Sequence, residues 1–440
     1  MSSQMRIFSV FFGMAVLLAI VGIYQSWNVA FSILNLCVIS SIMALGVNVQ
    51  WGYAGLVNFG VMGFVAVGGL AGVIVSMPPV EAAWSAGGTQ LMGGFAVMGL
   101  VILAATIFWK KMAHLKNTPR KRYLGMAAII ILGYALYRFI ADPAIDAIEA
   151  VEPAMTGYLG GLGLPILFSW IVGAIAAGLI AMLIGRIALG LRSDYLAIAT
   201  LGISEIIIYV IKNEDWMARG VKNVNGLPRP VPYELDLQKE AWVNSLADSM
   251  NYSVINTSSL IVKISYLMLF VAVLIGLFIL AEKALRSPWG RMMRAIRDNE
   301  VAAEAMGKDV KSRHLQIFII GSAVLGLAGA MLTTLDGQFT PASYQPLRYT
   351  FLIWVMVIVG GSGNNYGSII GGFIIWFFWI EAEPLGLWLI ELLTSGMSAD
   401  SALKAHLLES AAHTRLMTMG LIMMLVLRFA PKGLIPEAKR

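Results

Sequence analysis

Cysteine occurs once in these 440 residues, as Cys37 inside an apolar run, which excludes an intramolecular disulfide and a thiolate metal cluster. Histidine is almost as scarce. His114, His314, His406 and His413 are dispersed, with no H-E-x-x-H pair and no carboxylate at ligand spacing, so no metal site is expected. A phosphate loop of the form G-x-x-x-x-G-K-S/T is also missing, because Gly360-Gly361-Ser362-Gly363 has no lysine after it to reach a phosphate. Nothing resembles a nucleophile elbow. These absences argue against an enzyme, and no cofactor is expected on this chain. Charge is thin as well: charged residues make up 13% of the chain, against roughly 25% in an average soluble domain.

What fills the chain is apolar, at 58%, and it comes in blocks of the ~20 residues that a helix needs to cross ~30 Å of hydrocarbon. The fold class expected is all-α, a polytopic transmembrane helix bundle of about 10–12 spans. The first half gives Ile7–Tyr24, Ala30–Val49, Gly55–Ser76, Leu91–Trp109, Tyr123–Ala141 and Pro165–Ile187. The second gives Tyr195–Ile211, Leu260–Ala281, Leu315–Leu335, Tyr349–Gly361, Gly367–Glu383 and Arg415–Phe429. Tyr349–Gly361 is short for a crossing and reads as a tilted or re-entrant piece. Leu385–Leu393 is shorter still and reads as interfacial.

Basic residues set the orientation. Lys110, Lys111, Lys116, Arg120, Lys121 and Arg122 crowd one loop, Arg186 and Arg192 flank another, and residues 283–313 are basic. Arg428, Lys432, Lys439 and Arg440 end the chain. With twelve crossings and a cytoplasmic N-terminus all four groups fall inside, so both termini are expected in the cytoplasm. The loop carrying Asp142, Asp146, Glu149 and Glu152 then falls outside. The net charge of +6 is accounted for by short inner loops facing anionic lipid, not by nucleic acid. Arg6 precedes an apolar run without a convincing cleavage site, so the first helix is read as uncleaved.

Residues 283–313 are the most informative stretch. Ser287-Pro288 can cap and open a helix. Beyond it Met292, Ile296, Ala303 and Met306 share one side at 3.6-residue spacing, opposite Arg294, Arg297, Glu304 and Lys308, and Gly307 is a natural stop. Such a helix either meets a soluble partner or lies as a linker at the headgroups. Residues 212–259 form the longest polar excursion, with Asn225-Gly226, Pro228, Pro230 and Pro232. This is expected to be an irregular external loop with one short helix, able to gate an entrance or receive an external protein.

Glycine is abundant, at 45 residues. Gly363, Gly367 and Gly371, like Gly68 and Gly72, recur every fourth residue, which suits close helix packing in lipid. Gly52–Gly55 and Gly60–Gly63 suit either packing or a helix break beside a polar path. Of the ionisable residues near the spans (Arg138, Asp194, Glu205, Lys263, Asp336, Glu381 and Glu383), Glu205 lies deepest. It reads as a structural pair, a pathway residue or a proton carrier.

The ordered motifs resemble the permease subunits of branched-chain amino acid ABC importers. Gly55-Leu56-Val57-Asn58-Phe59-Gly60 is similar to that family's early glycine-rich motif, and Leu191–Gly202 followed by Glu205 is similar to its L-R-G-D-Y-x-A-I-x-T-L-G-x-x-E segment. Ser287–Arg291, Arg294–Glu300 and Ala302–Gly307 resemble its cytoplasmic loop; Gly360–Gly363 with Gly367 and Gly371, and Arg428–Leu434, resemble its later blocks. Three departures stand out: Val301 replaces the glutamate before Ala302-Ala303, Gly220–Gly226 replaces a shorter glycine run, and residues 110–163 carry an extra helix.

The resemblance implies an ABC importer permease fold over residues 1–440, with 283–313 as the ATPase-docking loop. The docking residues implied are Met292, Arg294, Ile296, Arg297, Ala302, Ala303, Glu304, Met306 and Gly307. Met292, Ile296 and Met306 are expected to fill a groove on the ATPase, with Arg294 and Arg297 at its rim. Asn58, Gly60 and Glu205 are the path residues implied. It further implies a second permease subunit, two cytoplasmic ATPases that hydrolyse the ATP, an external solute-binding protein and a cell inner membrane location. The cargo would be a branched-chain or other small apolar amino acid. Two other classes stay open: a secondary transporter coupling uptake to a proton through Glu205, and a permease or channel for urea or short amides.

Overall fold

A computed structural model describes residues 3–113, 119–397 and 401–437; His114, Lys116, Lys439 and Arg440 lie outside them. Among these residues, ten helices are long and apolar enough to cross a membrane, and two shorter apolar ones, Val61–Ser76 and Pro346–Gly360, accompany them. In hydrocarbon no water can satisfy a backbone amide, so an apolar run closes its own hydrogen bonds as a helix. Polar side chains then mark the ends: Ser26, Ser253 and Asp309 each accept a backbone N–H three residues on.

In chain order we label α1 (Ser3–Tyr24), α2 (Trp27–Val47), α3 (Val61–Ser76), α4 (Thr89–Ala113), α5 (Pro119–Glu149), α6 (Leu167–Ala188) and α7 (Ser193–Asn213). There follow α8 (Val254–Arg286), α9 (Pro288–Asp298), α10 (Glu300–Ala305), α11 (Val310–Asp336), α12 (Pro346–Gly360), α13 (Asn365–Leu393) and α14 (Thr414–Phe429). Helices α2 and α11 form the centre. α11 packs on α6, α3 and α2, while α2 also meets α13 and α8. Where α3, α6 and α11 cross, Gly68, Gly173 and Gly326 meet backbone to backbone. A Cβ at Gly68 would overlap the Gly326 carbonyl, and one at Gly173 would lie 3.1 Å from the Gly68 Cα. Small residues permit that approach in lipid, where dispersion and close packing replace a hydrophobic driving force. Gly367 and Gly371 do the same against α12, over the carbonyls of Gly360 and Met356, as their spacing predicts.

Four expectations change. The segment Gly55–Ser76 becomes helical only at Val61, because residues 55–60 are unwound. Leu385–Leu393 is not a separate interfacial piece: it continues α13 past Pro384. Pro384 has no N–H for the Ile380 carbonyl four residues back, and α14 braces the same stretch through Thr414, which donates to the Ala382 carbonyl at 3.0 Å. The 212–259 loop holds three short helices, Asp215–Ala218, Glu234–Leu237 and Ala241–Met250. It also carries a strand, β1 (Val224–Asn225), paired antiparallel with β2 (Gln338–Phe339) just after α11. Finally, the 123–141 helix is the middle of the 31-residue α5, which pairs with α4.

Candidate functional site

The first half of the site grows from the broken end of α2. Its last turn loosens into a π-turn over Asn48–Gly52, and the chain then runs unwound to Gly60, with Gly55 at φ +68° where a side chain would be strained. Unwound backbone is tolerated inside a membrane bundle only if its polar groups are met. Here they are. Phe59 N–H donates to Thr200 Oγ1 at 3.0 Å, Gly60 N–H to Asn58 Oδ1 at 2.8 Å, and Trp354 Nε1 to the Asn58 carbonyl at 3.0 Å. Trp354 is held between Trp51 and Phe59, each with its ring centroid 4.9 Å away. Asn58 Nδ2 donates to Gln50 Oε1 at 2.9 Å, and Gln50 Nε2 reaches the Phe318 carbonyl and Ser322 Oγ on α11. Asn58 and Gln50 are both fully enclosed. Both readings of the early glycine block have a basis. The helix breaks at residues 55–60, where Asn58 and Gly60 are structural nodes. Close packing occurs too, since a Cβ at Gly60 would lie 2.8 Å from the Thr200 carbonyl and one at Gly63 2.9 Å from the Ser204 Cα on α7.

The second half is the 283–313 segment. Ser287 opens α9 as its cap, accepting from Gly290 N–H. The helix then stops at Asn299, whose extended backbone (φ −158°) and side chain start α10 by accepting Ala302 N–H at 3.0 Å. Gly307 ends it in the left-handed region at φ +76°. The break undoes the single apolar face expected. Met293 and Ile296 are buried in the chain's own core and Ala303 nearly so, whereas Met306 is 80% and Val301 77% exposed. Ile296 therefore cannot fill a groove on a partner, and Met292 is only half-exposed. Glu300, Ala302 and Glu304 are exposed beside Val301 and Met306.

Neither arginine sits at a free rim. Arg294 donates to the Leu285 carbonyl at the end of α8. Arg297 Nη1 donates to the Gly52 carbonyl at 2.6 Å and pairs with Glu437 Oε2 at 3.0 Å, while its Nε meets Asp298. Burial would lower the Arg297 pKa, but the Glu437 and Asp298 carboxylates more than offset it and raise it. The cation thus fastens α9 to the π-turn and to the chain's last described residues. Those residues are docked too: Leu434 and Ile435 N–H groups donate to the Val359 and Gly360 carbonyls, and Asn364 to the Pro436 carbonyl. Alongside, Asn48 accepts Gly363 N–H at 2.9 Å and donates to Asn365 Oδ1, which also accepts from the Tyr53 hydroxyl; Asn365 in turn donates to Glu282 on α8. One polar cluster therefore joins the ends of α2, α8, α9 and α13. Sequence reasoning missed Asn48, Gln50, Tyr53, Glu282 and Asn365; the signal was two amides inside an apolar run beside Gly52.

The ionisable residues near the spans sort by partner. Arg138 pairs with Asp142 at 2.8 Å, Glu383 with Arg415 at 2.6 Å, Glu381 accepts from Gln25, and Lys263 donates to the Asn28 carbonyl. Asp194 lies in the first turn of α7, where a helix favours an anion. Glu205 and Asp336 have no side-chain partner among the described residues. Glu205 is exposed on the outer side of α7, with Ile198 70%, Ile206 63% and Tyr209 70% exposed around it. It makes no structural pair among the described residues.

The family model described as "Branched-chain amino acid transport system / permease component" matches residues 29–427. The high-affinity branched-chain amino acid transport system permease protein LivM of Escherichia coli is 28% identical over 258 residues, 57% of each chain. The chain thus spans little more than half the length of that relative. The probable branched-chain amino acid transport permease protein LivM of Methanocaldococcus jannaschii is 24% identical over 400 residues, 90% of each chain. A probable LivH permease of the same archaeon is 33% identical over 105 residues, 24% of this chain and 31% of that one. No solved structure matches. A broken membrane helix wired to a capped surface segment, and a family match over residues 29–427, identify this multi-pass membrane protein as a member of the branched-chain amino acid transport permease family.

Proposed function

We propose that this chain is one membrane subunit of an ATP-driven importer for branched-chain or other small apolar amino acids. In this reading α9 and α10 lie in the cytoplasm, as do both termini, and separate ATPase subunits dock on them. One observation carries it: Val301 and Met306, flanked by Glu300 and Glu304, project from a segment that Arg297 fastens to the unwound end of α2. An exposed apolar pair rimmed by carboxylates is a suitable contact for a groove. Its anchoring supplies a route for motion. Closure of the ATPases displaces α9–α10, Arg297 carries that displacement to Gly52, and the Asn48–Asn365 and Gln50–Ser322 bonds spread it to α13 and α11. A bundle that tilts between two openings fits this wiring.

The exposed face of α7 is assigned to a second permease subunit, since a carboxylate left unpaired toward lipid is costly and Glu205 finds no partner among the described residues. The 212–259 loop is assigned to the external solute-binding protein. The α4–α5 hairpin, with Leu103, Ile131 and Leu132 exposed, is assigned as an addition facing lipid. The test is recovery of the tagged chain from its native membrane in mild detergent. A co-purifying Walker-motif ATPase is expected with the wild type and lost with Val301→Asp/Met306→Asp. Recovery of the chain alone, taking up solute in liposomes without ATP, would overturn the reading.

A further inference from the structure

A cavity of about 300 Å³ opens among α2, α11, α12 and α13, under the residues that follow α11. α11 is 27 residues long, so its last residue, Asp336, lies ~40 Å from the α9–α10 end, at the opposite mouth of the bundle. The apolar part of the wall is enclosed: Ile39, Met43, Leu352 and Ile353 line it, each nearly or wholly buried. Its polar side chains include a single charge among the described residues. Asp336 supplies the carboxylate, and it is without an ion pair or hydrogen bond among the described residues. Ser40, Gln338, Thr340 and Ser343 supply uncharged donors, and among the described residues no lysine or arginine lines the space. Asp336, Gln338 and Ser343 are exposed at the mouth, so polar groups free to meet a ligand stand over an apolar interior.

We infer that this cavity is a binding site within the permease for a small aliphatic amino acid, whose ammonium group meets Asp336, whose carboxylate takes the Gln338 and Ser343 donors, and whose side chain lies against Ile39, Met43, Leu352 and Ile353. A cavity of this size stands at the low end of small-molecule sites, ~300–1,000 Å³. At ~30 Å³ for each water-sized group it holds about ten heavy atoms, which admits an aliphatic amino acid and excludes a peptide. Neutral donors suit the carboxylate because a fixed cation beside Asp336 would have paired with it instead. The carboxylate stands at the mouth, so an arriving zwitterion is oriented with its side chain inward. The inference rests on the importer reading above and gives the permease a selectivity of its own, separate from any external binding protein.

The test uses the full chain in lipid nanodiscs without ATP or other proteins, with radiolabelled L-leucine as the probe. Saturable binding is expected, competed by leucine and more weakly by isopentylamine, which lacks the carboxylate, and by 4-methylvalerate, which lacks the amine. Asp336→Asn should weaken leucine binding about tenfold or more, the scale of one charge-assisted hydrogen bond. Leu36→Trp, which enters the cavity from a half-buried wall position, should abolish it. A wild type that binds no leucine at millimolar concentration, or two well-dispersed variants that bind like it, would overturn the inference. Should Asp336→Asn fail to fold, Leu36→Trp decides alone. Recovery of the ATPase with the wild type is scored in parallel: leucine binding lost with the ATPase retained sinks the cavity only, whereas no ATPase sinks the importer reading.

Discussion

Replacing Arg297 by glutamine removes the bond that ties the α9–α10 segment to the broken end of α2. The guanidinium is 2.6 Å from the Gly52 carbonyl and 3.0 Å from Glu437, and only 23% of the side chain is exposed. A hydrogen bond from a charged donor contributes about 1.5–3 kcal/mol. The Glu437 pair is partly open to solvent and adds about 0–1 kcal/mol. A loss of about 2 kcal/mol shifts a two-state equilibrium roughly 30-fold, since ~1.4 kcal/mol is tenfold. Val301 and Met306 are untouched by the change, so docking should survive while transmission fails. In proteoliposomes holding the whole transporter, Arg297→Gln should cut uptake per ATP hydrolysed about tenfold or more, with the ATPase still co-purifying. Arg297→Lys should fall between, because a point charge does not span both acceptors. Glu437→Gln, which keeps the Gly52 bond, should cost about fivefold or less. An unchanged coupling ratio in Arg297→Gln would refute the transmission argument, and loss of the ATPase would make Arg297 a docking residue instead.

Three other outcomes follow from the packing. Gly68→Val should force α3 off α11 and lower the detergent melting temperature sharply, whereas Gly276→Ala, with open space around it, should leave it unchanged; equal melting would contradict the crossing. Asn58→Ala orphans Gln50 Oε1 and Gly60 N–H, so about 1–3 kcal/mol of stability should be lost for each buried group left unmet; chemical denaturation of the purified chain reads it, and a loss under 0.5 kcal/mol, roughly that of a surface change, counts against the network. Glu205→Gln should leave the chain monodisperse but alter its retention of a co-expressed second permease in a tagged pull-down; retention at the wild-type level would remove α7 from the interface.

Much of this molecule was legible before folding. Apolar blocks of membrane length, Ser287-Pro288 as a helix start and Gly307 as a stop all depend on a few neighbouring residues, and the structure agrees at each. The glycines at 363–371 gave their packing role by spacing alone, apart from Gly363, which sits in the left-handed region at φ +77°. Errors arose where a residue's role was set from afar. Asn299 splits one expected amphipathic helix into two, and the split sends Ile296 inward and Met306 out. Arg297 was assigned to a partner's rim because its acceptor, the Gly52 carbonyl, lies 245 residues away.

The sequence by itself determined the solvent, the approximate spans and the family. In lipid a backbone group finds no water, so an apolar run of sufficient length closes most of its bonds as a helix, and the unwound residues 55–60 persist only because other segments meet their polar groups. Only the tertiary structure decided which faces close on each other, which polar groups pair across the chain, and which are left over. Those choices depend on contacts between distant segments, where a glycine lets two backbones touch or an asparagine reaches another helix. Arg297 found its carbonyl and Asp336 did not find a cation for that one reason.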